Sequence, residues 1–149
     1  MSIDRLPMFA DDTVDLIYCC HAFQYFDWEA GADVLREWRR VLKPGGILRL
    51  AVPDFEALVR LYDTTGDLRE IIGPLFGRMP TGAATIYHRT VYDFRTLREQ
   101  CEKAGFRSFR RYDWRQTIHK DYDDYSQAYK PHMDKERGLL ISLNVEAEK

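Results

Sequence analysis

Asp15-Leu16-Ile17-Tyr18-Cys19-Cys20, the periodic stretch from Asp27 to Leu42, Lys43-Pro44-Gly45-Gly46 and Ile47-Leu48-Arg49-Leu50-Ala51-Val52 together decide the fold. The first run is short and mostly apolar without strict alternation, the pattern of a strand covered on both faces. From Asp27 the period changes: Trp28, Val34, Leu35, Trp38, Val41 and Leu42 recur at three- and four-residue spacings, with Arg36, Glu37, Arg39 and Arg40 between them. That spacing predicts an amphipathic helix capped by Asp27, with Glu29 at its positive end. Lys43-Pro44-Gly45-Gly46 is expected to stop the helix through a left-handed glycine exit. The run from Ile47 to Val52 is a second strand ending at Pro53. Strand, helix, tight turn and strand make a βαβ unit whose strands lie parallel in one sheet.

Outward from this unit, Asp54 caps a short helix over 55–62. Residues 63–90 hold four of the nine glycines and two of the six prolines without a sustained period, so they read as a long irregular crossing. Asp93 caps a third helix, with Phe94, Leu97, Cys101 and Ala104 on one stripe and Gly105 at its exit. A strand is expected over 106–112. In the last strand, Ile141, Leu143, Val145 and Ala147 face one way, and Ser142, Asn144 and Glu146 the other.

The whole chain has 149 residues, 45% hydrophobic and 31% charged, which suits one globular domain and excludes disorder, collagen and coiled coil. A formal charge of −2 leaves no cationic excess for a phosphate backbone, so no nucleic-acid partner is expected. No apolar run approaches the roughly 20 residues of a membrane helix, and the first dozen residues lack a signal-peptide pattern. A cytoplasmic location is expected. Cys19, Cys20 and Cys101 form no framework spacing and read as free, buried thiols; no metal site is expected at Cys19-Cys20-His21.

Leu6-Pro7-Met8-Phe9, the segment from Asp15 to Phe26 and the segment from Leu35 to Asp54, with its Leu-Lys-Pro-Gly-Gly and Val-Pro-Asp motifs, resemble the second half of class I S-adenosylmethionine-dependent methyltransferases. The carboxyl part, around Asp113-Trp114-Arg115 and residues 123–129, carries the same likeness. The resemblance implies an α/β fold: a partial Rossmann-like sheet of the family's strands four, five, seven and six, the last in sequence antiparallel, with flanking helices and strands one to three missing. It implies a single domain over 1–149, truncated at its amino terminus, and S-adenosylmethionine as cofactor. The family's glycine-rich strand-to-helix turn and ribose-binding acid are not in this sequence. Gly45-Gly46 follows a helix and precedes a strand, the reverse order. The adenine-side acid falls near Ser2 by family spacing, leaving Ile3 to cover the ring, so weak or no cofactor binding by the chain alone is expected. With strands one to three absent, the strand 15–20 becomes an edge, and a homodimer or a second chain is expected to cover it.

His21, just past the carboxyl end of that strand, and Cys20 are the remaining cofactor-side candidates. Substrate candidates are Gln24, His88, His119, Asp123, Asp124 and His132, polar groups clustered after strands or on the loop before the last strand. They would suit a small-molecule or sugar-type acceptor. Tyr25 and Phe26 read as packing. Three alternatives remain open at this stage: a non-catalytic module that binds a partner through strand 15–20, a fragment whose reading frame starts further upstream, and a metal hydrolase on His119, Asp123, Asp124 and His132.

Overall fold

The computed structural model describes residues 3–82 and 84–149. Strand β1 (Val14–Cys20) leads through a short 3-10 turn into helix α1 (Trp28–Val41), whose Asp27 side chain accepts a hydrogen bond from Ala30 N. Strand β2 (Leu42–Pro53) follows immediately and runs parallel to β1. Then come α2 (Phe55–Thr65), α3 (Arg69–Phe76), a small hairpin of β3 (Met79–Thr81) and β4 (Ala84–Ile86), and α4 (Phe94–Lys103). Strand β5 (Arg107–Arg111), the two-residue ladder β6 (Tyr129–Lys130) and β7 (Leu139–Leu140), and β8 (Ser142–Glu148) complete the chain. The main sheet has the order β1-β2-β8-β5, with β8 antiparallel to both neighbours. This is the partial Rossmann-like sheet expected from the sequence.

The alternation of β2 and β8 sorts the two faces of the sheet. Leu48, Leu50 and Val52 with Leu143, Val145 and Ala147 form one face, closed by Val34, Leu35 and Trp38 of α1 and Leu97 and Cys101 of α4. Each fully buried aliphatic side chain there contributes about 1.5–3 kcal/mol, so this layer dominates stability. Asp93 and Thr96 close a reciprocal capping box at the start of α4, and Gly105 takes a left-handed conformation at its exit. The opposite face carries Arg49, Ser142, Asn144 and Glu146. It too is buried, because residues 112–141 fold across it.

Two sequence expectations need correction. Gly45 does not end α1: Leu42 is already extended, and Gly45 reaches φ +77 only three residues later, where four residues of β2 bulge opposite Asp15. Leu42 leaves the helix at φ −66, ψ 139, before the Lys43-Pro44 step is reached. The terminal carbonyls of α1 are met instead by a neighbouring segment: Asp12 N donates to Arg40 O and Thr13 N to Val41 O. Residues 63–90 are also more regular than expected, since they contain α3 and the β3–β4 hairpin. Their periodicity is hidden by Gly73-Pro74 inside α3, whose Ile71 and Leu75 pack with α2 residues in a second, smaller core.

Candidate active site

The carboxyl ends of the parallel strands β1 and β2 open onto a cleft of about 830 Å³. In open α/β sheets this is the end where ligands bind. His21 and Gln24 enter from the end of β1, Pro53 from the end of β2, and His88 from the segment after β4. Asp123, Asp124, Tyr125 and His132 enter from the loop that crosses the polar face. Six of the nine candidate residues are therefore gathered around one space.

His21 sits at φ +47, in the left-handed region, as the chain leaves β1. Its Nε2 lies 2.9 Å from Ser142 Oγ, and Ser142 Oγ donates to Asn144 Oδ1 at 2.9 Å. The Asn144 amide is oriented in turn, because its Nδ2 donates to Ser126 O at 2.8 Å. With its only proton given to Asn144, Ser142 must accept from His21. The network thus assigns the proton to Nε2 and leaves Nδ1 as a bare acceptor. Burial, then repulsion from His88, pushes the His21 imidazole down to about 3 against an opposing pull from Asp124, so the ring is neutral at pH 7. Tyr125 stacks on it at 5.3 Å between ring centres.

His88 is the second ring of the cleft. Its Nδ1 donates to Leu75 O at 3.2 Å, so its Nε2 accepts from Gln24 Nε2 at 3.2 Å. Burial lowers its pKa, outweighing the carbonyls of Leu75 and Pro74, which raise it. Gly77, at φ +52, ends α3 directly beneath the ring, and a side chain there would collide with His88. Gln24 is 1% exposed, and its Oε1 has no hydrogen-bond partner among the described residues. Tyr25 also lines the cleft and donates to Gly77 O at 2.7 Å, a role its reading as packing missed.

The acids differ in what they have left to offer. Asp124 Oδ2 accepts from Tyr18 Oη at 2.7 Å, and its Oδ1 accepts from Ser126 N and Oγ. Burial alone would raise its pKa, yet the hydrogen bonds from Ser126 and Tyr18 outweigh it and hold the carboxyl below its ordinary value. Asp124 is therefore a brace between β1 and the loop. Asp123 is exposed and lies 3.7 Å from Lys135 Nζ; His132 is exposed at the rim.

Three candidates lie outside the cleft. Ile3 lies at α1, where its carbonyl accepts from Trp38 Nε1 at 2.8 Å, and Ser2 is outside the described residues. Cys20 is half-buried beside Tyr18 and Asp124, and burial pushes its thiol up to about 12. His119 stacks on Tyr18 at 3.9 Å between ring centres, under the polar face of the sheet. Its separation from the cleft leaves Asp123, Asp124 and His132 without it, and among the described residues no three His, Cys, Asp or Glu side chains converge to hold a metal ion. Ser142 and Asn144, which set the His21 tautomer, are legible beforehand only as the outer positions of an alternating strand.

The family described as a methyltransferase domain matches residues 1–50. The fold of the whole chain is similar to solved methyltransferases. An S-adenosylmethionine-dependent methyltransferase of Thermotoga maritima, described as a possible histamine N-methyltransferase, superposes with a TM-score of 0.62 at 17% identity, over 100% of this chain and 62% of its own. An S-adenosylmethionine-dependent methyltransferase of Methanosarcina mazei gives 0.61 at 17% identity, over 100% and 65%. A candidate methyltransferase of Haloferax volcanii, solved in complex with the Trm112 methyltransferase activator, gives 0.56 at 21% identity, over 99% and 58%. No curated protein matches. The chain thus has a class I methyltransferase fold and spans about three fifths of the length of these relatives, with β1, β2, β8 and β5 as the counterparts of the family's strands four, five, seven and six.

Proposed function

We propose that this chain is the acceptor-binding part of an S-adenosylmethionine-dependent methyltransferase. The observation that carries this reading is the convergence of His21, Gln24 and His88 on a cleft at the carboxyl ends of two parallel strands in a methyltransferase fold. The acceptor would be a small or sugar-type molecule. His21 and Gln24 would orient it, and orientation alone supplies much of the rate in a displacement of this kind. At a pKa of about 3, His21 is a poor proton acceptor at neutral pH, so its role is to hold a hydrogen bond.

The described residues do not fit the adenosine half of the methyl donor. They contain no strand-to-helix glycine turn, the acid at the end of β2, Asp54, is committed to capping α2 and to Arg111, and Ile3 is not among the residues lining the cleft. Two lost hydrogen bonds of about 1.5–3 kcal/mol each weaken binding by about a hundredfold or more. A complete donor site therefore needs residues from beyond this set. The open side of β1 is where they would add, as strands from a second copy, a second chain or a longer form of this polypeptide. A cytoplasmic setting belongs to the same reading. Calorimetry of the 149-residue chain with S-adenosylmethionine and its demethylated product is expected to show no micromolar binding; a micromolar constant would overturn the incomplete-site reading.

The same edge favours one other reading, a non-catalytic module that binds its partner along β1. It predicts a stable complex with no methyl transfer once the partner is present.

A further inference from the structure

We propose that the cleft selects its ligand by hydrogen-bond donors: an uncharged molecule presenting two hydroxyl or N–H groups, read by His21 Nδ1 and Gln24 Oε1. This rests on the acceptor-binding reading and names the class of acceptor. Both residues line the cleft: Gln24 Oε1 is buried without a partner among the described residues, the His21 tautomer leaves Nδ1 as an acceptor, and each is prevented from becoming a donor. On His21, the relay through Ser142 and Asn144 to Ser126 O keeps the proton on Nε2. On Gln24, the amide cannot turn over, because His88 Nδ1 is committed to Leu75 O and its bare Nε2 requires the Gln24 N–H. Leaving the buried Gln24 Oε1 without a donor is unfavourable, and a ligand hydroxyl or N–H reaching it from the cleft removes that penalty.

The same arrangement rejects anions. A carboxylate or phosphate brings only lone pairs to two fixed acceptors, and the neutral His21 ring offers it no charge. The basic groups do not reverse this. Lys130 is held by Glu70 at 3.1 Å, and Arg78 is exposed at the mouth. Tyr125, stacked over His21, adds a flat wall that suits a planar ligand.

Three probes of one shape separate the possibilities: resorcinol with two donors, 1,3-dimethoxybenzene with none, and isophthalate with two anionic acceptors. Titration of the isotope-labelled chain by NMR is expected to show millimolar resorcinol binding, with shifts at the Gln24 side-chain amide and the His21 ring. The other two probes should bind about tenfold more weakly or worse. Ring nitrogen shifts of the free protein should report the Nε2–H tautomer of His21. Gln24→Met, which conserves volume, should erase the preference for resorcinol over dimethoxybenzene. Isophthalate binding as tightly as resorcinol, no resorcinol binding at millimolar concentration, or an Nδ1–H tautomer would each overturn the proposal. None of these readouts involves the methyl donor, so they fail or succeed apart from the methyl-transfer reading.

Discussion

The two edges of the main sheet are built in opposite ways. β5 is guarded: Arg107, Arg110 and Arg111 line a largely exposed strand, Ser108 takes φ +54, and the ladder to β8 slips between Arg107 and Arg110. Charge and local irregularity are the usual means of keeping an edge from pairing with another chain. β1 has neither. Leu16, Ile17 and Tyr18 are only half-buried, the sole charge is Asp15, and the ladder to β2 is regular from Leu16 to Cys20. Among the described residues nothing pairs with its other side. The contrast separates an edge shaped to end a sheet from one shaped like an interior strand, and it supports the neighbour proposed for β1.

The largest effect should come from closing β1. His21 N donates to Ala51 O, so the backbone groups of alternate residues, Ile17 and Cys19, face β2, and those of Leu16, Tyr18 and Cys20 face outward. Leu16→Pro removes an outward N–H and leaves the bonds to β2 intact. If a second copy pairs there, the wild-type chain sediments as a dimer at micromolar concentration, and Leu16→Pro weakens association by about a hundredfold while circular dichroism stays native. A wild-type chain that sediments as a clean monomer breaks the homodimer reading of this contrast.

Next in size is the charged row that reaches inward from the guarded edge. Arg110 and Arg49 both contact Glu146, at 2.6 and 2.9 Å, while Tyr18 takes the corresponding place on β1. Arg49 and Glu146 are 17% and 12% exposed in their side chains, so Arg49→Met strands a largely buried carboxylate with one exposed partner. The expected loss is about 2–4 kcal/mol in chemical denaturation. A change below about 0.5 kcal/mol would mean that Arg110 alone compensates Glu146.

A smaller effect belongs to the end of β1. The pKa of His21 is pushed down to about 3, and those of His88 and His119 are lowered, each mainly by burial. The unfolded chain therefore takes up protons first, below about pH 6.5, and stability falls as pH drops from there toward 3. His21 can contribute at most about 1.4 kcal/mol per pH unit in that window. His21→Asn, which tolerates the left-handed backbone, should flatten the slope between pH 6.5 and 5. An unchanged slope would assign the acid sensitivity to the other two histidines.

Much of this architecture was legible in the sequence, and the reasons differ by element. β1, α1, β2 and α4 carry local signals, an apolar run or a 3.6-residue period with a capping acid, and they form around those signals, although β2 begins at Leu42, before its apolar run. What escaped was set by non-local contact. Residues 12 and 13, not Gly45, complete the end of α1. The polar positions of β8 read as an ordinary outer face because nothing local reveals that residues 112–141 will bury them. The site divides in the same way. His21, Gln24 and His88 were legible as polar groups at element ends, whereas the meeting of Ser142 with His21 spans 121 positions and has no local signature.

The smallest expected effect tests how the guarded edge works. Arg107 is 66% exposed in its side chain and pairs with Glu148 at 2.9 Å, a surface ion pair of the kind that contributes 0 to about 1 kcal/mol. Arg107→Val should change stability by no more than about 0.5 kcal/mol. It should also leave sedimentation as it was, because Arg110, Arg111 and the slipped register around Ser108 still obstruct a new strand. Dimers formed through β5 in this variant would show that one charge alone protects that edge. The difference between β5 and β1 would then be one of side-chain charge, with backbone geometry contributing nothing to it.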